Sequence, residues 1–320
     1  HVRVLGQTPR YERAERGLYR LIGPSARKKS KVRNRTKKTS GKRGEQISPK
    51  KTRVPKRRSL SESKIYDDFV SYLEAKPFRM YVGSGVWYPD EPQVGWKNRL
   101  KFYAWTSGGK ELAPNWGETN SLIKNFSKEL RPLIERIESD EPVSAESLKD
   151  IYEKIKEWGN PRGAERSGAQ VLAALKKVVS HANGGAAPPV DSTLTKVYAM
   201  AWPDEYAIYD TRVAASIVTI AEDLYRRTRL KGFCERFPAL GHMDTASISG
   251  TRPRGRRLEK NSPEDLVFGG WPNAYKKWPA QLDANRLCLG IQKVLNKRRI
   301  GGRTAWSLRE VEAVLFMEGY

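Results

Sequence analysis

A lysine and an aspartate frame the run Lys196-Val-Tyr-Ala-Met-Ala-Trp-Pro-Asp-Glu-Tyr-Ala-Ile-Tyr-Asp210, and Thr211-Arg212-Val213 follows it. The lysine falls on a short apolar stretch that Pro203 ends. The spacing of Val213, Ile217, Ile220, Ala221 and Leu224 predicts a helix, with Asp210 at its N-cap. A carboxylate there meets the positive end of the helix, which favours the charged form. Beside a lysine, it can stabilise a developing cation or activate a nucleophile. The same two residues also suit a plainer role, Asp210 as a cap and Lys196 as a solvated helix residue.

The elements that would position this pair are mostly helices. Ser59 and Glu62 have capping-box spacing, and Ile65, Phe69, Tyr72 and Leu73 form an apolar stripe behind them. Residues 77–117 are dense in aromatics and punctuated by Gly83, Gly85, Pro89 and Gly95, which suggests turns and a short hairpin. Such aromatics serve a core, or a platform for a flat ligand. Trp105 and Tyr103 are the candidates for such a platform. Helical periodicity then covers Thr119–Glu138, Ser144–Trp158 and Gly168–His181, and two more helices close the chain at about Pro279–Asn296 and Ser307–Glu318. Ser307 and Glu310 again have capping-box spacing. Ahead of these last two helices, residues 241–262 form a basic, Gly-containing stretch where Arg252, Arg254, Arg256 and Arg257 suit a solvated loop or a grip on phosphates.

Charge bounds the partner. The chain has 320 residues and a formal net charge of +24. Residues 24–58 hold sixteen basic residues, Lys28, Lys29, Lys37 and Lys38 among them, against the single acidic Glu45. So polar and cationic a strip cannot offset its ordering entropy by burial, and it is expected to be a disordered, nucleic-acid-binding tether that gains from counterion release at a phosphate backbone. A linker or a localisation signal is the alternative. Cys234 and Cys288, the only two cysteines, cannot ligate a four-cysteine cluster or a structural zinc, and a reducing, cytoplasmic setting suits so few thiols. The three histidines share no metal-ligand spacing. His181 is expected to cap its helix, and no metal or cofactor is expected. No stretch of about 18 apolar residues suggests a membrane span.

Tyr209-Asp210-Thr211-Arg212-Val213 and Lys196 resemble the active-site region of helix-hairpin-helix DNA glycosylases. In that family a Val-Asp-Thr-His/Arg-Val run carries the catalytic aspartate, and lyase-competent members carry a lysine on the preceding hairpin helix. The likeness is greatest to a bacterial branch with an 8-oxoguanine-glycosylase-like fold, whose closing Trp-Ser-Leu-Arg-Glu-Val-Glu helix is similar to Trp306–Gly319. The family's Gly-x-Gly turn is absent, and Ala186-Ala187-Pro188-Pro189-Val190-Asp191 stands in its place.

The resemblance implies a mainly α, two-lobed domain over residues 59–320. The tether, residues 24–58, joins it to a fragment of residues 1–23 that resembles the closing strands of a winged helix. It also implies a nucleoid-associated enzyme that excises a modified base from double-stranded DNA, in repair or in defence against phage. In that reading Asp210 stabilises the sugar cation, Lys196 can attack C1′ and give lyase activity, Trp105 and Tyr103 line the base pocket, and Arg212 contacts phosphate or packs on a helix. The alternative is a non-catalytic DNA-binding protein on the same fold.

Overall fold

The computed structural model describes residues 10–15, 18–22, 62–83, 86–107, 111–112, 115–159, 162–181, 184–228, 232–241, 277–303 and 305–319. The chain divides into two units, residues 1–59 and 60–320. In the first, β1 (Arg10–Glu15) pairs antiparallel with β2 (Leu18–Ile22), Arg10 opposite Ile22, and the register shifts between Arg13 and Glu15. The expected tether, residues 24–58, lies outside the described residues.

The second unit is mainly helical. It opens with α1 (Glu62–Ala75), and an antiparallel hairpin of β3 (Phe78–Gly83) and β4 (Val86–Gln93) follows. After α2 (Trp96–Lys101) come two two-residue strands, β5 (Thr106–Ser107) and β6 (Glu111–Leu112). The hairpins occupy the stretch whose glycines and prolines interrupt helical spacing.

The long helices begin with α3 (Trp116–Glu138), three residues before its apolar stripe suggests. The cause is Asn115, whose side chain accepts from the Glu118 amide at 3.1 Å and satisfies a free donor of the first turn. Next come α4 (Ala145–Gly159), α5 (Gly168–His181) and the short α6 (Leu194–Ala201). One apolar cluster forms from Ile123, Phe126 and Leu130 of α3, Ile151 and Ile155 of α4, Val171 and Leu175 of α5, and Leu194 and Val197 of α6. Their helical spacing puts each set on one face.

A second cluster gathers α1 and α2 with α7 (Thr211–Thr228), the short α8 (Phe233–Arg236) and α9 (Pro238–Gly241), α10 (Trp278–Arg298) and α11 (Leu308–Glu318). A 3-10 turn, Ile300–Gly302, links α10 to α11. Ser307 caps α11 in the reciprocal pair with Glu310 that its spacing predicts. Burying one Leu, Ile or Phe contributes about 1.5–3 kcal/mol, so each cluster outweighs any surface ion pair here.

Charge fixes the position of α11. Arg99, wholly buried on α2, donates through Nε to Glu318 Oε1 at 2.8 Å and through Nη1 to the Leu73 carbonyl at 2.7 Å. Burial alone would raise the Glu318 carboxyl, but Lys76 and Arg99 beside it hold it below its ordinary value. At the same end of α11 the backbone runs against the start of α7. A Cβ at Gly319 would lie 2.2 Å from the Arg212 carbonyl, so only glycine permits this approach.

Candidate active site

Lys196 stands in the first turn of α6. Asp191 fixes the entry to that helix, its Oδ1 accepting from the amides of Thr193 at 2.9 Å and Leu194 at 2.8 Å. Its other oxygen meets Arg166 Nη2 at 2.7 Å, and Tyr198 donates its hydroxyl to the Pro189 carbonyl at 2.7 Å. These bonds hold Pro189 and Asp191 ahead of α6. All seven residues from Leu194 to Met200 are buried, and Lys196 is 5 % exposed. A solvated role for this lysine is therefore overturned. Its chain lies along Gly159, the last residue of α4, where a Cβ would come within 2.6 Å of Lys196 Cε.

Asp210 immediately precedes α7 and is 8 % exposed. Its Oδ1 accepts from the amides of Arg212 at 3.0 Å and Val213 at 3.1 Å, which is N-cap geometry. The other oxygen, Oδ2, lies 3.6 Å from Lys196 Nζ, and that amine donates to the Ser192 carbonyl at 2.8 Å. The lysine belongs to the helix packed in the first cluster and the aspartate to the helix packed in the second. A buried charge pair thus bridges the two cores.

Glu312 on α11 is the third member, and sequence reasoning missed it. Its Oε2 accepts from the Ile208 amide at 3.0 Å, and it pairs with Arg309 on the same helix. Burial pushes its carboxyl up to about 7, the charge of Asp210 adding to the rise while Arg309, the Ile208 amide and Lys196 oppose it. A signal existed. Leu308, Glu312 and Leu315 share one helical stripe, so the glutamate is a charge on an apolar face.

The aromatic candidates divide. Tyr103 is buried, edge-on to Trp116 at 5.4 Å and tilted against Phe316 at 5.9 Å. Burial drives its phenol above the usual range, with Glu312 and Asp210 adding to the rise and Arg212 opposing it. It is a core residue whose hydroxyl feels the charges of the site. Trp105 is half-buried and meets Trp158, at the end of α4, edge-on at 6.5 Å. The indole N–H groups of both tryptophans are buried with no hydrogen-bond acceptor among the described residues. Trp158 reads from the sequence only as the end of a helix. In the fold it meets Trp105 on one side and Phe126 on another, the latter at 6.1 Å.

Arg212 sets its guanidinium over the Phe316 ring at 5.1 Å, a packing contact between α7 and α11. Arg252, Arg254, Arg256 and Arg257 lie outside the described residues, as do Lys28, Lys29, Lys37 and Lys38. His181 Nδ1 donates to the Gly185 carbonyl at 3.0 Å, and the ring packs edge-on against Trp278. Among the described residues no group of three or more His, Cys, Asp or Glu could hold a metal, and no helix is long and apolar enough to cross a membrane. No protein-family model, no curated protein and no solved structure matches this chain.

Proposed function

We propose that this chain is a DNA glycosylase that extrudes a modified base from the duplex and hydrolyses its N-glycosidic bond. The observation that carries the reading is the buried Lys196–Asp210 pair at 3.6 Å. Capping alone needs one carboxylate oxygen, which the two amide bonds to Oδ1 already use. The other oxygen faces an amine in a nearly dry setting, where a buried ion pair adds little to stability. Such a pair suits chemistry. Cleavage of the C1′–N bond develops positive charge on the sugar, and a fixed carboxylate stabilises it best where water is excluded. Lys196 can attack C1′ once its proton passes to a neighbouring carboxylate, which would add lyase activity. The tryptophans at 105 and 158 suit a flat, extruded base, whose acceptors would meet the two unused indole N–H groups. The net charge of +24 suits a phosphate backbone as partner. Base excision in repair and excision of hypermodified phage bases are both roles open to such an enzyme in the nucleoid.

The test is incubation of the full chain with duplexes carrying different modified bases, with mass spectrometry of any free base released. Asp210→Asn should abolish release while DNA affinity persists, because asparagine caps a helix as well as aspartate does. Undiminished release by that variant would leave Asp210 a cap with no part in the chemistry.

A further inference from the structure

Tyr206–Asp210 is an irregular run in which every residue is buried, so its backbone polar groups require partners; at its ends the Tyr206 amide donates to the Trp202 carbonyl at 3.0 Å and the Asp210 carbonyl accepts from the Ala214 amide of α7 at 2.9 Å. Between those ends, side chains of α10 and α11 serve the run. Arg309 Nη2 donates to the Tyr206 carbonyl at 2.6 Å. Asn285 Oδ1 accepts from the Ala207 amide and Gln281 Nε2 donates to the Ala207 carbonyl, each at 2.9 Å. Glu312 then accepts from the Ile208 amide, two residues before Asp210. Gln281 also donates to Asn285 at 2.8 Å, so the two amides are held in one orientation.

We propose that Glu312 is a positioning residue for Asp210, holding its approach strand through the Ile208 amide and tuning the charge around the Lys196–Asp210 pair. The proposal rests on the glycosylase reading for its effect on rate, but not for its effect on the strand. Charged and titratable groups face Glu312 from every side. They are Arg309 on its own helix, Cys288 on α10, Asp210 before α7, Lys196 on α6 and Tyr103 after α2. An ionised Glu312 adds negative charge behind Asp210 and so favours a cationic sugar in the transition state. Protonation removes that help. Because its carboxyl titrates near neutrality, the rate of base release should rise with pH across that region. The rise should be roughly tenfold, the size expected of one charge within about 10 Å at an effective dielectric near 20.

Three forms of the full chain decide it: wild type, Glu312→Gln and Glu312→Ala. Glutamine keeps an acceptor for Ile208 but cannot ionise, so its single-turnover rate should be flat where the wild type rises. Alanine loses the acceptor, and hydrogen exchange read by mass spectrometry should quicken roughly tenfold in the 206–210 segment, the scale of one missing buried bond. Exchange across 145–181 should stay as in wild type, and glutamine should restore slow exchange at 206–210. A role confined to general stability would speed exchange in both stretches and leave the pH rise in place in Glu312→Gln, overturning the proposal. So would wild-type exchange at 206–210 in Glu312→Ala. If the wild type releases no base from any duplex, the glycosylase reading fails, and the exchange measurement alone then decides whether Glu312 holds the strand.

Discussion

Gly159→Ala tests whether the site depends on where the Lys196 amine sits. The added Cβ would lie 2.6 Å from Lys196 Cε and 2.7 Å from Cδ. Carbon atoms at ordinary contact sit about 3.5–4.0 Å apart, so the lysine chain must withdraw by about 1 Å. The backbone itself accepts alanine, since residue 159 is helical and not among the glycines with positive φ. Restricting the unfolded chain then contributes about 0.4–1 kcal/mol of stability, while overpacking costs about 1–3 kcal/mol. The net loss is at most about 2.5 kcal/mol, a fall of several degrees in melting temperature for a unit of this size. The effect on rate is larger. Withdrawal pulls Nζ from the Ser192 carbonyl, 2.8 Å away, and changes the 3.6 Å spacing to Asp210. A misplacement of about 1 Å in a positioned reaction can cost roughly 100-fold. The assay is single-turnover base release on the duplex identified by mass spectrometry, alongside melting and DNA affinity by fluorescence anisotropy. A rate within about threefold of wild type, at normal melting temperature, would refute the claim that this lysine is held in place for chemistry.

Three further outcomes are expected. Borohydride should trap a covalent complex between wild-type protein and substrate DNA, and Lys196→Ala should abolish it; base release without trapping would confine Lys196 to holding Asp210. Deleting residues 24–58, which removes fifteen net positive charges, should flatten the dependence of log affinity on log salt by about 0.9 for each phosphate left without its cation, measured by anisotropy. An unchanged slope would mean the strip does not touch DNA. The third outcome concerns stability and pH. Glu312 is raised from 4.5 to about 7, so the folded state holds a proton that the unfolded chain releases as pH climbs past 4.5. Stability should therefore fall across that window and level off above about pH 7, by an amount on the order of 3 kcal/mol. Glu312→Gln should lack this fall, so urea unfolding of the variant relative to wild type should improve from pH 5 to pH 8; parallel curves would count against it.

Much of the scaffold was legible because helices advertise themselves by period. The stripes of α3, α4 and α5 were readable residue by residue, and so was the Ser307–Glu310 cap. Asp210 was legible as a cap because its helix follows at once. What lay hidden depends on tertiary contact. The burial of Lys196 comes from packing of α6 against α3 and α4, which no local pattern encodes. Glu312 was masked by its neighbours, since Glu310 two residues earlier drew the capping argument and made the second glutamate look like surface charge. Tyr103 was legible as core or platform but not as one of the two, because a tyrosine's period cannot be read in a stretch broken by glycines. Trp158 and Gly159 mark a helix end in sequence, and only the fold brings them against Trp105 and Lys196.

The energetics of the central pair allow one more decision. Lys196 and Asp210 are each nearly out of water, and replacing a buried ion pair by uncharged residues of similar shape is often neutral or stabilising, whereas removing one partner strands the other charge. If the pair were architectural, its loss as a unit should cost the protein. If it is kept for chemistry, the double variant Lys196→Met with Asp210→Asn should fold as well as wild type and release no base. Methionine fills the lysine's channel beside Gly159 without a charge, and asparagine still accepts from the Arg212 and Val213 amides. Each single change should destabilise by about 1–3 kcal/mol, and the double by less than their sum. Urea unfolding of the four proteins closes that cycle. A double variant as unstable as the sum of the singles would mean the two charges do not act on one another in the fold. The 3.6 Å approach of amine to carboxylate would then lose its claim to be a functional pair.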